Sequence, residues 1–477
     1  MFRQTPARKR KKHNASPKQG LSKAPPIQPF SKDQPIQRKI GFEIEFRSIF
    51  SGQSKSEEGF RKRRFGLLHT KPLEKGETLL SSPYFDLEAE DGPYIGSTVE
   101  IVTKPFEETL EGFHELSVFI EQLKRFCEIA KTAKSVVGLD TFEAEGLGLH
   151  AKERILLDLT HSQYELPMFP QATSGIRISR LSAMLNDIGM GEVGESAEMA
   201  ERKKALRQEI GHLPFFGYHS NLVLMSHCTL VSKEALEVFW TEHPEAPGVK
   251  ASDALRGTLQ QICFYLMSGS MPVYSYVKAF TTILARTDFA KIFSLLPNEE
   301  QLFFRLNNNQ AWKELVRTMC RPEIFGKKRN DWSNYKNPKV VWPMSGPKSI
   351  NLEAPFFAKG IYRGFPHFLI YSTNMLAGLS SGQWADSIPD TDLLSPHHFP
   401  VPSRREWLQS LGEMREKTDV HPYSEEEMPI FETRGMGVAY SAEKVADKLR
   451  KWFAYVFELN QDRDYKYGEP HEEFGIH

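Results

Sequence analysis

The sequence predicts an α+β fold, an antiparallel sheet whose strands lie at both ends of an ordered body, with a large helical insertion between them. Three observations predict it. Residues 39–46, Lys-Ile-Gly-Phe-Glu-Ile-Glu-Phe, alternate apolar with small or charged residues at period two, the pattern of a half-buried strand. A second strand pattern, Met428–Tyr440, stands near the C-terminus. Between them helical periodicity dominates from about residue 196 to 320.

The elements follow in order. Ile40, Phe42, Ile44 and Phe46 share one strand face, and Glu43 and Glu45 share the other. A charged loop, Ser51–Arg64, leads to a strand at Ser82–Glu90 and a turn at Asp91-Gly92-Pro93. The next strand is Thr98-Val99-Glu100-Ile101-Val102, with a helix expected at once after it. Pro105 suits the first helical position, Glu107 and Glu108 complement its positive end, and Phe106, Leu110, Phe113, Ile120, Leu123 and Cys127 form a buried stripe. Ala172–Ser179 reads as a strand, and Gly189–Gly194 as a glycine-rich connection without the Lys-Ser/Thr ending of a phosphate loop. Helices are expected at Ser196–Ile210, Lys233–Thr241, Leu255–Met267 and Val273–Leu296. The segment 322–427 is loop-rich, with Pro, Gly, Asn and Ser among aromatics. After the last strand, Ser441 caps a helix whose buried stripe is Val445, Leu449, Trp452 and Val456.

Charge divides the chain unevenly. Lys+Arg and Asp+Glu are balanced at 61 each, yet residues 1–38 hold ten basic residues against one acid, Asp33. That arm is +9 and residues 39–477 are −9, which excludes a body that binds nucleic acid through its overall charge. Six prolines in the arm and too little apolar area to offset the ordering entropy predict disorder. Arg8–Lys12 is followed by polar residues, so the arm is not a secretory signal. Three readings of it stay open: a solvated tail, an address or nucleic-acid tether, and a loading leader. Ile36-Gln37-Arg38-Lys39 is similar to the ends of basic, Pro-rich leaders on cargo of bacterial contractile injection systems. That resemblance implies synthesis in a bacterial cytoplasm, a partner in the injection or secretion machinery, and delivery into a target cell. The longest apolar region, Ile262–Phe280, is broken by Ser268, Gly269, Ser270 and Pro272, so no membrane span is expected. Cys127, Cys228, Cys263 and Cys320 lack CxxC pairing and read as reduced core cysteines.

Chemistry concentrates on the strands. Two carboxylates on one face of an apolar strand, Glu43 and Glu45, are either solvated or a pair of oxygen ligands for Mg²⁺ or Mn²⁺. Glu100 is a lone acid in a β-branched strand. Glu432 and Arg434 lie two residues apart on one strand face, either a surface ion pair or a site where the arginine fork suits phosphate and the glutamate could complete a metal shell. His219 and His227 read as core or rim histidines, and Pro396-His397-His398 as a loop.

Gly41-Phe42-Glu43-Ile44-Glu45-Phe46, the stretch Val99-Glu100-Ile101-Val102-Thr103-Lys104-Pro105 after Asp91-Gly92, and Phe431-Glu432-Thr433-Arg434 resemble, in this order, the strands of the amidoligase family within the carboxylate–amine ligase superfamily. The resemblance implies a glutamine synthetase-like, or glutamate–cysteine ligase-like, catalytic core within 39–477. It implies ATP as cosubstrate and Mg²⁺ (or Mn²⁺) held by Glu43, Glu45, Glu100 and Glu432. Arg434 would then neutralise the transferring phosphoryl group, and an acyl phosphate would be captured by an amine to give an amide or isopeptide bond. Under that resemblance the substrates would be free amino acids, a peptide or Glu/Gln side chains of a host protein, and the sequence does not single out the pair. The chain departs from the family at Gly175-Ile176-Arg177-Ile178-Ser179, with Arg177 and Ser179 where two histidines are usual; Arg177 can face phosphate but cannot ligate a metal. Two other readings therefore stay open. One is a metal-dependent phosphodiesterase or nuclease tethered by the basic arm, and the other a binding protein that keeps the fold without catalysis.

Overall fold

A computed structural model describes residues 39–53, 73–90, 97–133, 136–148, 150–152, 155–159, 166–188, 218–244, 251–269, 283–319, 339–340, 350–351, 418–420, 426–434 and 441–461. All fall in the unit Ile36–His477. The arm 1–38, the turn at 91–93, residues 189–194, the helix expected at 196–210, residues 396–398, most of 322–427 and the side chains of His219 and His227 lie outside them.

The chain begins with β1 (Lys39–Gln53), β2 (Thr78–Ser81), β3 (Phe85–Glu90), β4 (Ser97–Thr103) and β5 (Phe106–Glu107). Next come α1 (Leu110–Ala133), β6 (Val136–Gly138), α2 (Leu139–Ala144), β7 (His150–Ala151), β8 (Ile155–Asp158) and β9 (Met168–Gly175). A 3-10 turn at Ile178–Arg180 leads into α3 (Leu181–Ile188), α4 (Tyr218–Glu242) and α5 (Asp253–Gly269). Then follow β10 (Ile283–Ala285), α6 (Phe289–Ser294), α7 (Asn298–Met319), β11 (Lys339–Val340) and β12 (Ile350–Asn351). The described chain ends with β13 (Thr418–Val420), β14 (Glu427–Arg434) and α8 (Ala442–Leu459).

This is an α+β architecture built on one large sheet, in the order β10-β14-β9-β1-β4-β3-β2-β7, and every described pairing is antiparallel. β1 is the hub. Its first half lies between β4 and β9; a register shift between Phe46 and Phe50 then lets its second half take up β8. The first and last strands of the ordered body meet through β9, which pairs with both β1 and β14.

Period two sets the core. Ile40, Phe42, Ile44 and Phe46 are buried, as are Phe85, Leu87, Val99 and Ile101 on the neighbouring strands. They pack against α1 through rings: Phe46 on Phe126 at 5.5 Å and Phe85 on Phe119 at 5.8 Å between centroids. α8 extends this layer through Phe113 and Phe453, 5.6 Å apart. Each fully buried side chain of this size contributes roughly 1.5–3 kcal/mol. No described helix is long and apolar enough to cross a membrane. Cys127, Cys228 and Cys263 are buried free thiols, and burial pushes the Cys127 thiol up to about 12.

Three elements differ from expectation. The helix after Pro105 begins only at Leu110, because Phe106 and Glu107 first pair with Ile40 and Lys39. Thr109 caps it instead, its Oγ1 accepting from Gly112 N–H at 3.1 Å. The strand expected at Ala172–Ser179 is shifted to Met168–Gly175 and gives way to the 3-10 turn. Within the helix expected at Val273–Leu296, Ile283–Ala285 is a strand on β14, and Asp288 then starts a short helix by accepting from Ala290 N–H at 2.9 Å. The last strand, expected over Met428–Tyr440, runs Glu427–Arg434, and residues 435–440 lie outside the description.

Candidate functional site

The face of the sheet opposite α1 carries the acids. Register fixes which residues share it, because directly opposed residues in an antiparallel pair point the same way. Glu45 lies opposite Glu100, and Glu100 lies opposite Glu88, so three glutamates cross β1, β4 and β3 in a row. A neighbouring row runs Arg434, Gln171, Glu43, Val102 and Asp86 across β14, β9, β1, β4 and β3. Glu432 joins the face opposite Thr173, which is itself opposite Gly41. Glu90, two residues beyond Glu88, completes it.

This places Glu43, Glu45, Glu100, Glu432 and Arg434 on one side of four adjacent strands. The rows are about 7 Å apart along each strand, since side chains on one face recur every second residue. Directly opposed carboxylates repel, and Glu100 has a like charge on each side. Burial, a side-chain hydrogen bond with Glu90 and the charges of Glu90, Glu43 and Glu45 push the Glu100 carboxyl up to about 9. Burial and the neighbouring Asp86 likewise raise the Glu88 carboxyl above its ordinary value. The outer acids have cations: Lys104 pairs with Asp86 and Lys75 with Glu90.

At the other end of the face Glu432, 2% exposed, is held between two arginines. Its Oε1 accepts from Arg434 Nε, and its Oε2 stands 3.1 Å from Arg286 Nε. Both oxygens are engaged. In this arrangement Glu432 pairs with two cations.

The centre of the face is a floor. A Cβ added to Gly41 would meet no atom of the described residues within 4 Å, so the Glu432 row is open to them at its β1 position. Gln171 lies between Glu43 and Arg434 in register and donates from Nε2 to Glu45 Oε1. That bond fixes the amide orientation and leaves Gln171 Oε1 buried without a hydrogen-bond partner.

Arg177 is elsewhere. It follows the end of β9, where its backbone N–H donates to Asn460 Oδ1 at 2.9 Å. Its Nη2 and Nε donate to Glu426 Oε2 at 2.6 and 2.9 Å. The pair ties the β9 turn to the start of β14.

The donor set suits a hard dication. Glu43, Glu45 and Glu100 offer carboxylate oxygens, Gln171 offers an unused amide oxygen, and the crowded charge around Glu100 would be relieved by a divalent cation. Among the described residues no three His, Cys, Asp or Glu side chains are gathered onto one point. The donors share a face, and ligation would draw them together through rotation about their side-chain bonds.

Five residues of this face were missed in the sequence reading. Asp86, Glu88 and Glu90 carried a usable signal, since Phe-Asp-Leu-Glu-Ala-Glu alternates as strictly as residues 39–46. Gln171 is a neutral amide without a motif, and Arg286 sat inside an expected helix.

No family model matches the chain, and no curated protein matches it in sequence. Among solved structures, the chain is similar to a Glu-to-Gln mutant of the toxin ACD domain of a VgrG from Vibrio cholerae in complex with ADP and Mn++. The TM-score is 0.36 at 11% identity, over 86% of this chain and 96% of that one. Likeness at that level establishes neither a shared fold nor a shared function.

Proposed function

We propose that the chain is an ATP-dependent carboxylate–amine ligase working on the acidic face of β14, β9, β1, β4 and β3. One observation carries the reading: strand register brings three segments far apart in sequence, around Glu43, Glu100 and Arg434, to the same face in adjacent rows. These are the segments that resemble the amidoligase strands.

The residues divide the work. Glu43, Glu45 and Glu100 would hold Mg²⁺ or Mn²⁺. The ion, when bound, would neutralise phosphate oxygens and so lower the barrier to phosphoryl transfer. Arg434, fixed by Glu432, would face the phosphate chain of ATP and compensate charge that spreads over the transferring group. A substrate carboxylate oxygen attacks the γ-phosphorus, the bond to the β-phosphate oxygen breaks, and ADP leaves. The amine nitrogen then attacks the acyl carbon, inorganic phosphate departs, and the amine loses a proton. Positioning and electrostatics supply the catalysis, and no covalent enzyme nucleophile is needed. The basic arm, which resembles an injection-system leader, fits the role of a delivered effector.

Incubation with ATP, Mn²⁺ and a mixture of peptides or target-cell proteins should release ADP and phosphate together with a new amide cross-link, visible as a mass gain by linkage with loss of water. Glu43→Gln and Arg434→Ala should each reduce this by at least 100-fold while the melting temperature stays within a few degrees. ATP turnover equal in wild type and both variants would sink the proposal. Mn²⁺-dependent cleavage of DNA or RNA without ATP would replace it with the phosphodiesterase reading. Failure to bind ATP at millimolar concentration would leave a non-catalytic scaffold.

A further inference from the structure

The exposed cation of the Glu432 group is Arg286, not Arg434. β10 pairs with β14 so that Leu284 stands opposite Glu432, and two residues further on Arg286 returns to the same face. Its backbone is fixed, since Arg286 N–H donates to Ile430 O at 2.8 Å. The next residue is locked as well, with Thr287 Oγ1 accepting from Ile430 N–H at 2.7 Å. The Arg434 side chain is 7% exposed and the Arg286 side chain 29%. Glu432 is the ion-pair partner of Arg286 among the described residues.

A buried carboxylate between two guanidinium groups is a costly arrangement if any member is lost, so its geometry is held tightly. One negative charge against two positive leaves the group at +1, beside a face whose other named charges are acids and their outer lysines. Planar forks at a fixed spacing suit the oxygens of phosphate chains, which present several acceptors in a row.

We propose that Arg286 and Arg434, spaced by Glu432, form a phosphate clamp, with Arg286 the arm that touches the polyphosphate chain of the bound nucleotide. This rests on the nucleotide-binding reading above. It adds a contact residue that no motif marks and gives Glu432 the task of holding the clamp.

Titration calorimetry on the full chain tests it, with Mn²⁺-ATP and Mn²⁺-tripolyphosphate as probes. Arg286→Ala should weaken both probes by about tenfold or more, since charge-assisted contacts to phosphate are lost. Arg286→Lys keeps the charge opposite Glu432, guards against misfolding, and should weaken both several-fold because the fork is gone. Unchanged affinity for both probes in a folded Arg286→Lys and Arg286→Ala, with the wild type binding, overturns the clamp alone. Loss of ATP but not of tripolyphosphate also overturns it, by moving the contact off the phosphates. A wild type that binds neither probe sinks the nucleotide reading and the clamp with it. Mn²⁺ titrated without nucleotide gives the last arm. Glu432→Gln should bind it as the wild type does, and a loss as large as that of Glu43→Gln would make Glu432 a metal ligand and end the clamp.

Discussion

Glu300, in the first turn of α7, is the buried acid whose surroundings are most completely described. It is 2% exposed, and its two oxygens accept from Ser252 N–H and Ser252 Oγ–H, each at 2.7 Å. Ser252 Oγ in turn accepts from Leu255 N–H at 3.0 Å, so one carboxyl anchors the start of α5. Burial pushes the Glu300 carboxyl above its ordinary 4.5, against the two Ser252 hydrogen bonds that pull it down. A raised value means the folded state holds the proton more tightly than the unfolded state. Stability from this group therefore falls as pH climbs from about 4.5 through the folded value, and is level outside that window. Denaturant titrations at a series of pH values should show a flatter slope there for Glu300→Gln than for wild type, and an identical slope would refute the assignment. Ser252→Ala should cost about 1 kcal/mol through the lost cap. At this scale the sequence was readable where a charge sat against its background. Glu43, Glu45 and Glu100 stand out because acids are rare on apolar strands. Gln171 and Arg286 do not, since an amide or an arginine is unremarkable until its neighbours across the sheet are known.

Gly112 makes a prediction that separates intrinsic helix preference from packing. It lies in the first turn of α1, and a Cβ added there would stand 1.9 Å from Glu107 O, in the backbone of β5. Helix propensity alone would make Gly112→Ala stabilising by about 1 kcal/mol. The clash with the backbone of a residue registered against β1 should reverse that sign, and a variant melting above wild type would show that β5 gives way freely. The same junction explains an error of reading: Pro105 and the acids after it look like a helix start, but β1 claims Phe106 and Glu107 first. Strands with strict alternation were legible in the sequence, and so were the long amphipathic helices α1 and α8. The three-residue strand β10 was not, because Ile-Leu-Ala buried on all sides has no period to betray it. Pairing partners were equally hidden, since β1 to β9 and β9 to β14 are contacts across 130 and 260 residues.

The balance of the whole molecule turns on the acids it gathers. Residues 39–477 carry −9, and four strands put seven of their acids on one face. Two of the outer acids have lysines and Glu432 has its arginines, which leaves the strain around Glu45, Glu100 and Glu88. In the metal-free protein Glu100, pushed up to about 9, already holds a proton at neutral pH. Replacing it with Gln removes little that stabilises and keeps a group of similar shape, so Glu100→Gln should melt no lower than wild type. With Mn²⁺ the order should invert. A ligand that binds only the folded state at a hundred times its Kd stabilises by about 2.7 kcal/mol, which for a chain of this length shifts melting by a few degrees. Glu100→Gln and Glu43→Gln should lose most of that gain, and sodium chloride at equal ionic strength should not supply it, because screening acts weakly on partly buried charges. A thermal melt of wild type and Glu100→Gln, with and without Mn²⁺, thus asks for opposite signs from one substitution. If both proteins respond alike in both conditions, the acidic face is a solvated surface and the ligase reading loses its metal.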